Sequence, residues 1–124
     1  DLARLGALAA TEYTYHDWAS YADFLDENLG FHLQLAALSG NDRLVDTLEE
    51  LLAAMQRFFF LGLDLGDYAA EMRGEHEELV VAMAARDAAR AVRSMSDQIE
   101  RSRERIVRAL GAGRVDLPLQ RGAR

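Results

Sequence analysis

Few residues of this sequence are suited to chemistry, and four of them share one peculiarity. Asn28 and His32 stand one helical turn apart, while His76 and Gln98 each interrupt an apolar stripe at helical spacing. Positions three or four apart on a helix lie one above the other, so all four are expected to face inward. Two imidazoles and two carboxamides buried unpaired would cost about a few kcal/mol. They must bond to one another, to trapped water, to a metal, or to a ligand entering between the helices. A core built only for packing has little reason to gather its polar groups at one level. Arg73, one turn before His76, is a candidate for neutralising an anionic ligand, and a surface ion pair with Glu77 is its competing use.

The other polar features have simpler readings, and no catalytic set emerges. Glu75-His76 opens like a metallohydrolase motif but lacks the second His four residues away. No phosphate-cradling glycine loop and no nucleophile elbow occur either. Asn41 and Asp87 are accounted for as helix caps. His16, beside Asp17, is expected in a surface link, the Phe58-Phe59-Phe60 run in the core or a partner surface, and the Glu49-Glu50 and Glu77-Glu78 pairs on solvated faces. Arg86, Arg90, Arg93, Arg101, Arg103, Arg105 and Arg108 crowd one segment with Asp87, Asp97, Glu100 and Glu104 among them, which reads as a solvated, ion-paired helix face.

These residues need elements to hold them, and the composition favours helix: Ala, Leu, Glu and Arg dominate, β-branched residues are scarce and the single Pro is Pro118. The periodicity predicts an all-α, antiparallel helical bundle of about five helices. The first covers about Leu2 to Thr11. The second is capped by Asp17 or Ser20 and runs to about Leu38, with Tyr21, Phe24, Leu25, Asn28, Phe31, His32, Leu35 and Ala36 inward. The third, capped by Asn41 or Asp42, spans about Arg43 to Phe60 on Leu44, Val45, Leu48, Leu51, Leu52, Met55, Phe58 and Phe59, and Leu61 to Gly66 reads as a loop. The fourth, capped by Asp67, carries Tyr68, Met72, His76, Leu79, Val80 and Met83 as far as Arg86. The fifth, capped by Asp87, reaches about Leu110 on Ala88, Ala91, Val92, Met95, Gln98, Ile99, Ser102, Ile106 and Ala109. Residues 1–110 are thus expected to form one domain and 111–124 a flexible tail.

At 124 residues the chain is long enough for one core without staples, and it contains no Cys, which removes disulfides and thiolate chemistry. Apolar runs such as Phe58 to Leu61 and Leu79 to Ala85 are far short of the roughly 18 to 20 residues of a membrane span, so a soluble, cytoplasmic protein is expected. All 14 cations are Arg against 21 carboxylates, a net charge of -7 that opposes binding to nucleic acid. The absence of an initiating Met suggests that Asp1 is a cut boundary.

The run Asn28-Leu-Gly-Phe31-His32-Leu-Gln-Leu-Ala-Ala-Leu-Ser39-Gly40-Asn41, followed by Leu44, Leu48 and Leu51, resembles the signature of the effector-binding (FCD-type) domain of the fatty-acid-regulator subfamily of GntR-type bacterial transcription regulators. The second half agrees through Glu75-His76, Leu79, Ala82, Met83, Arg86-Asp87, Ala91 and Met95. The resemblance spans about residues 20 to 110. It implies an antiparallel bundle that senses a small metabolite, often a carboxylate, and forms homodimers. A winged helix-turn-helix domain upstream, outside this sequence, would contact the operator, and the family's first helices would also be truncated here.

Many members of that family hold a divalent metal through an Asp or Asn, a His four residues later, the His after Glu, and a further His beyond. Carried over residue by residue, those positions are Asn28, His32, His76 and Gln98. Gln98 replaces an imidazole with a weakly ligating amide and Asn28 offers no anion, so His32, His76 and Asn28 make at best a weak site for zinc or nickel. The expected function is therefore a ligand-sensing and dimerisation domain, without catalysis, that uses Asn28, His32, His76, Gln98 and Arg73 toward its effector. The alternative is a small metal-dependent helical-bundle enzyme.

Overall fold

A computed structural model of the chain describes residues 2–111; of the tail predicted at 111–124, Gly111 is the last residue of a helix and 112–124 lie outside the described residues. Five helices and no strand are present among them: α1 (Leu2–Ala9), α2 (Trp18–Ala37), α3 (Asp42–Leu65), α4 (Ala69–Ala84) and α5 (Ala88–Gly111). Three starts follow from side chains that bond exposed backbone N–H groups of a first turn. Asp17 accepts from the Ser20 N–H, Asn41 Oδ1 from that of Leu44 at 3.1 Å, and Asp87 Oδ1 from that of Arg90 at 3.0 Å. The cap of α4 is Tyr68, without a side-chain bond, and Asp67 bonds only the Ala69 N–H at 3.3 Å. Gly40 takes φ 70 after α2, a conformation open to glycine, and lets the chain reverse into α3.

The helices close into a ring: α1 packs on α2 and α4, α2 on α3, α3 on α5, and α5 on α4. Tyr21 on α2 donates to Asp64 near the end of α3, and Trp18 meets Phe60 edge to face, so α2 and α3 are antiparallel. The pairs Glu75–Arg101 and Glu78–Arg90 show the same for α4 and α5. One apolar cluster unites Tyr13, Tyr21, Phe24, Leu25, Leu63 and Ala69 at one end of the ring. A second joins Leu5, Ala9, Phe31 and Leu79.

The structure corrects the sequence reading in three places. First, the expected loop at 61–66 is largely helical, since α3 continues to Leu65. Gly62, which argued for a break, is buried against α5, where a Cβ would lie 3.8 Å from Arg105 Cβ. Packing there outweighs the roughly 1 kcal/mol that a glycine costs a helix. Second, the inward stripes are narrower than predicted: Val92 and Ile99 on α5, and Leu44 and Leu51 on α3, are exposed. The buried residues of α5 are Gln98, Arg105 and Ala109, on a helix that packs against both α3 and α4. Third, Arg105 is not on a solvated face. It is 5 % exposed, held by Glu75 at 3.0 Å and Glu71 at 3.2 Å, and its guanidinium lies 4.9 Å from the centre of the Tyr68 ring.

Candidate polar site inside the helix ring

Phe31, wholly buried on α2, is the apolar floor on which the polar residues are set. Its ring centre lies 4.6 Å from that of His76 on α4 and 5.3 Å from that of His32, its neighbour in sequence. The two imidazoles stand edge to face with centres 5.5 Å apart. Inward spacing on α2 and α4 therefore brings two histidines together across the ring. Burial drives both away from the charged form, holding His32 at about 4 and His76 at about 3, with the neighbouring His32 and Arg105 adding to the effect on His76. At neutral pH each is an uncharged imidazole with one N–H and one lone pair.

Gln98 comes in from α5. Its NH2 donates to the Glu75 carbonyl at 2.8 Å, the peptide group just before His76, and reaches the Ser94 hydroxyl at 3.5 Å. That bond decides the orientation of the amide, because only the nitrogen can face a carbonyl. Two atoms then stand out: His76 Nδ1 and Gln98 Oε1 are buried with no hydrogen-bond partner among the described residues. Groups of this kind are uncommon in folded proteins and mark a water, an ion or a ligand to be accounted for.

The remaining sequence candidates fall outside this pair of atoms. Asn28 is half-buried, one turn before His32 on α2. Arg73 lies on the outer surface, bonded to Glu77 at 2.8 Å and Glu12 at 3.2 Å, which is the competing use and takes it out of the interior. His16 is exposed in the link before α2. The Glu75–Arg105 pair was missed by the sequence reading. Its signal was present, since Arg105 follows Gln98 by two helical turns and so shares its inward face.

Beside Gln98, between α4 and α5, runs an open cleft of about 380 Å³ lined by Gly74, Glu75, Glu78, Ser94, Asp97, Gln98 and others. His32, His76 and Asn28 do not line it.

The donor set does not fit a tightly held zinc or nickel ion. Among the described residues, no three His, Cys, Asp or Glu side chains are grouped to hold a metal. The two orphaned atoms provide one imidazole nitrogen and one weak amide oxygen, where such ions take imidazoles, thiolates and carboxylates. No helix among the described residues is long and apolar enough to cross a membrane.

In comparisons with known proteins, the family model described as FCD domain matches residues 1–101. No curated protein and no solved structure matches.

Proposed function

The chain belongs to the FCD family, a C-terminal, regulatory domain of GntR-type transcription regulators, and on that premise we propose that it senses a small effector inside the helix ring, at His32, His76 and Gln98 with Asn28 at the margin. Domains of this kind in GntR regulators bind small-molecule effectors and oligomerise. The observation that carries the placement is the pair of buried, unpartnered atoms, His76 Nδ1 on the imidazole that meets His32 and Gln98 Oε1 on the neighbouring helix α5. A ligand bonding to both would be stabilised by contacts formed in the bound state alone, which is how an effector biases a conformational equilibrium.

In this reading the chain is the sensing and dimerising part of a cytoplasmic, metabolite-responsive regulator of the fatty-acid-regulator subfamily, and a winged-helix domain upstream contacts the operator. The net charge of -7 accords with leaving DNA to another domain. A small carboxylate is the effector class that comes with the resemblance. The metal-dependent enzyme alternative would require an ion with an open coordination position and a neighbouring acid or base, and the donor set here argues against it.

The test is a thermal-shift screen of small metabolites on the wild-type chain, with His32→Ala and His76→Ala as folded comparators. Stabilisation by an effector that is lost in both variants supports the assignment. An undiminished shift in both moves the effector site elsewhere.

A further inference from the structure

The donors and acceptors of the interior site can be counted. Gln98 commits its NH2 to the Glu75 carbonyl and the Ser94 hydroxyl, which leaves only its oxygen, a group that accepts and cannot donate. His76 contributes Nδ1, likewise buried and unpaired. The cations near this level are already committed. Arg105 lies between Glu75 at 3.0 Å and Glu71 at 3.2 Å, and Arg101 bonds Glu75 at 3.2 Å. Arg73 is on the outer surface with Glu77 and Glu12.

A carboxylate placed here would bring two more acceptors to the Gln98 oxygen, and the arginines near it among the described residues, Arg101 and Arg105, are already paired with carboxylates. Buried charge is tolerated only when paired and hydrogen-bonded. A metal does not repair the deficit, because the donor set does not fit one. An uncharged group meets neither obstacle. A primary amide is complementary at both atoms in either imidazole tautomer: one N–H can donate to Gln98 Oε1, while His76 Nδ1 either donates to its carbonyl or accepts its second N–H. A hydroxyl can play both parts in the same way.

Resting on the reading of His32, His76 and Gln98 as the effector site, we infer that the ligand taken there is an uncharged hydrogen-bond donor such as an amide or alcohol, bound without a metal, and not a carboxylate. Gln98 is also part of the wall of the cleft between α4 and α5, whose other lining residues include the carboxylates Glu71, Glu75, Glu78 and Asp97. Gly74 on the same wall adds no side chain to obstruct it, and a Cβ there would meet nothing within 4 Å.

The two isosteric probes acetamide and acetate distinguish the classes. Each is titrated into the 15N-labelled chain while the Gln98 side-chain amide and the ring nitrogens of His32 and His76 are followed by NMR, with zinc titrated separately. Acetamide is expected to give saturable shifts at these groups with an affinity at least about tenfold above that of acetate. In Gln98→Leu, checked for folding by circular dichroism, the acetamide affinity should fall by about tenfold. Acetate binding as tightly as acetamide, or zinc saturating the histidines at micromolar concentration, overturns the ligand class and leaves the interior site standing. Absence of any shift at Gln98, His32 and His76 with both organic probes removes the interior site itself.

Discussion

Lowering the pH from about 7.5 to about 5 should cost this fold on the order of 4 kcal/mol through His32 and His76 alone. Burial holds their imidazoles at about 4 and about 3 in the folded chain, whereas in the unfolded chain both take up a proton near the ordinary value of about 6.5. Below that value the unfolded state binds protons that the folded state refuses. The stability these groups allow is therefore fully present above about pH 6.5 and is lost as the pH falls toward the folded values. Between those limits each histidine contributes a loss of about 1.4 kcal/mol per pH unit, or about 2 kcal/mol each by pH 5. Domains of this size have a total stability of roughly 5–15 kcal/mol, so the loss should be plain in the urea midpoint. The assay is urea unfolding by circular dichroism across this range, for the wild type and a His32→Gln, His76→Gln double variant. His16 is exposed and common to both chains, so its contribution cancels. A wild-type stability that is flat from pH 7.5 to 5, or an equal loss in the double variant, would refute the reasoning.

Three further outcomes are expected. Glu75→Ala, which leaves the buried Arg105 with only the exposed Glu71, should destabilise the chain by about 3 kcal/mol, and Glu75→Leu combined with Arg105→Met should recover much of that in the same urea assay. Gly62→Ala should stabilise by about 0.5–1 kcal/mol, because the new methyl group meets Arg105 and Ile106 at ordinary contact distance, 3.8 Å, within a helix; a loss of thermal stability would show that α3 and α5 approach more closely. Gln98→His should raise zinc or nickel affinity by at least about tenfold in calorimetry, since a third imidazole would join His32 and His76. No gain in a folded variant would mean that position 98 does not converge on the histidine pair.

Much of this protein was legible without coordinates, for reasons that are local. Helix existence follows from propensity and period, and Asp17, Asn41 and Asp87 mark their starts because a short side chain can reach a free N–H only there. The inward facing of His32, His76 and Gln98 is likewise a matter of periodicity along single helices. Register between helices is different, because no single segment contains it. Whether 61–65 continued α3 depended on Gly62 finding the α5 backbone close by, and which flank of α5 was buried depended on where α3 and α4 came to rest. Hence Val92 and Ile99 face outward while Arg105, one of seven similar arginines by sequence, is sealed against Glu75. The two unpartnered atoms belong to the same class. That Gln98 and His76 would be polar and interior was decided along the chain, but which of their atoms remained without a bond was decided only when the Glu75 carbonyl captured the Gln98 amide across the α4–α5 interface. Periodicity is a property of one helix, whereas a bond between helices depends on the relative rotation and height of both, and only tertiary packing sets those.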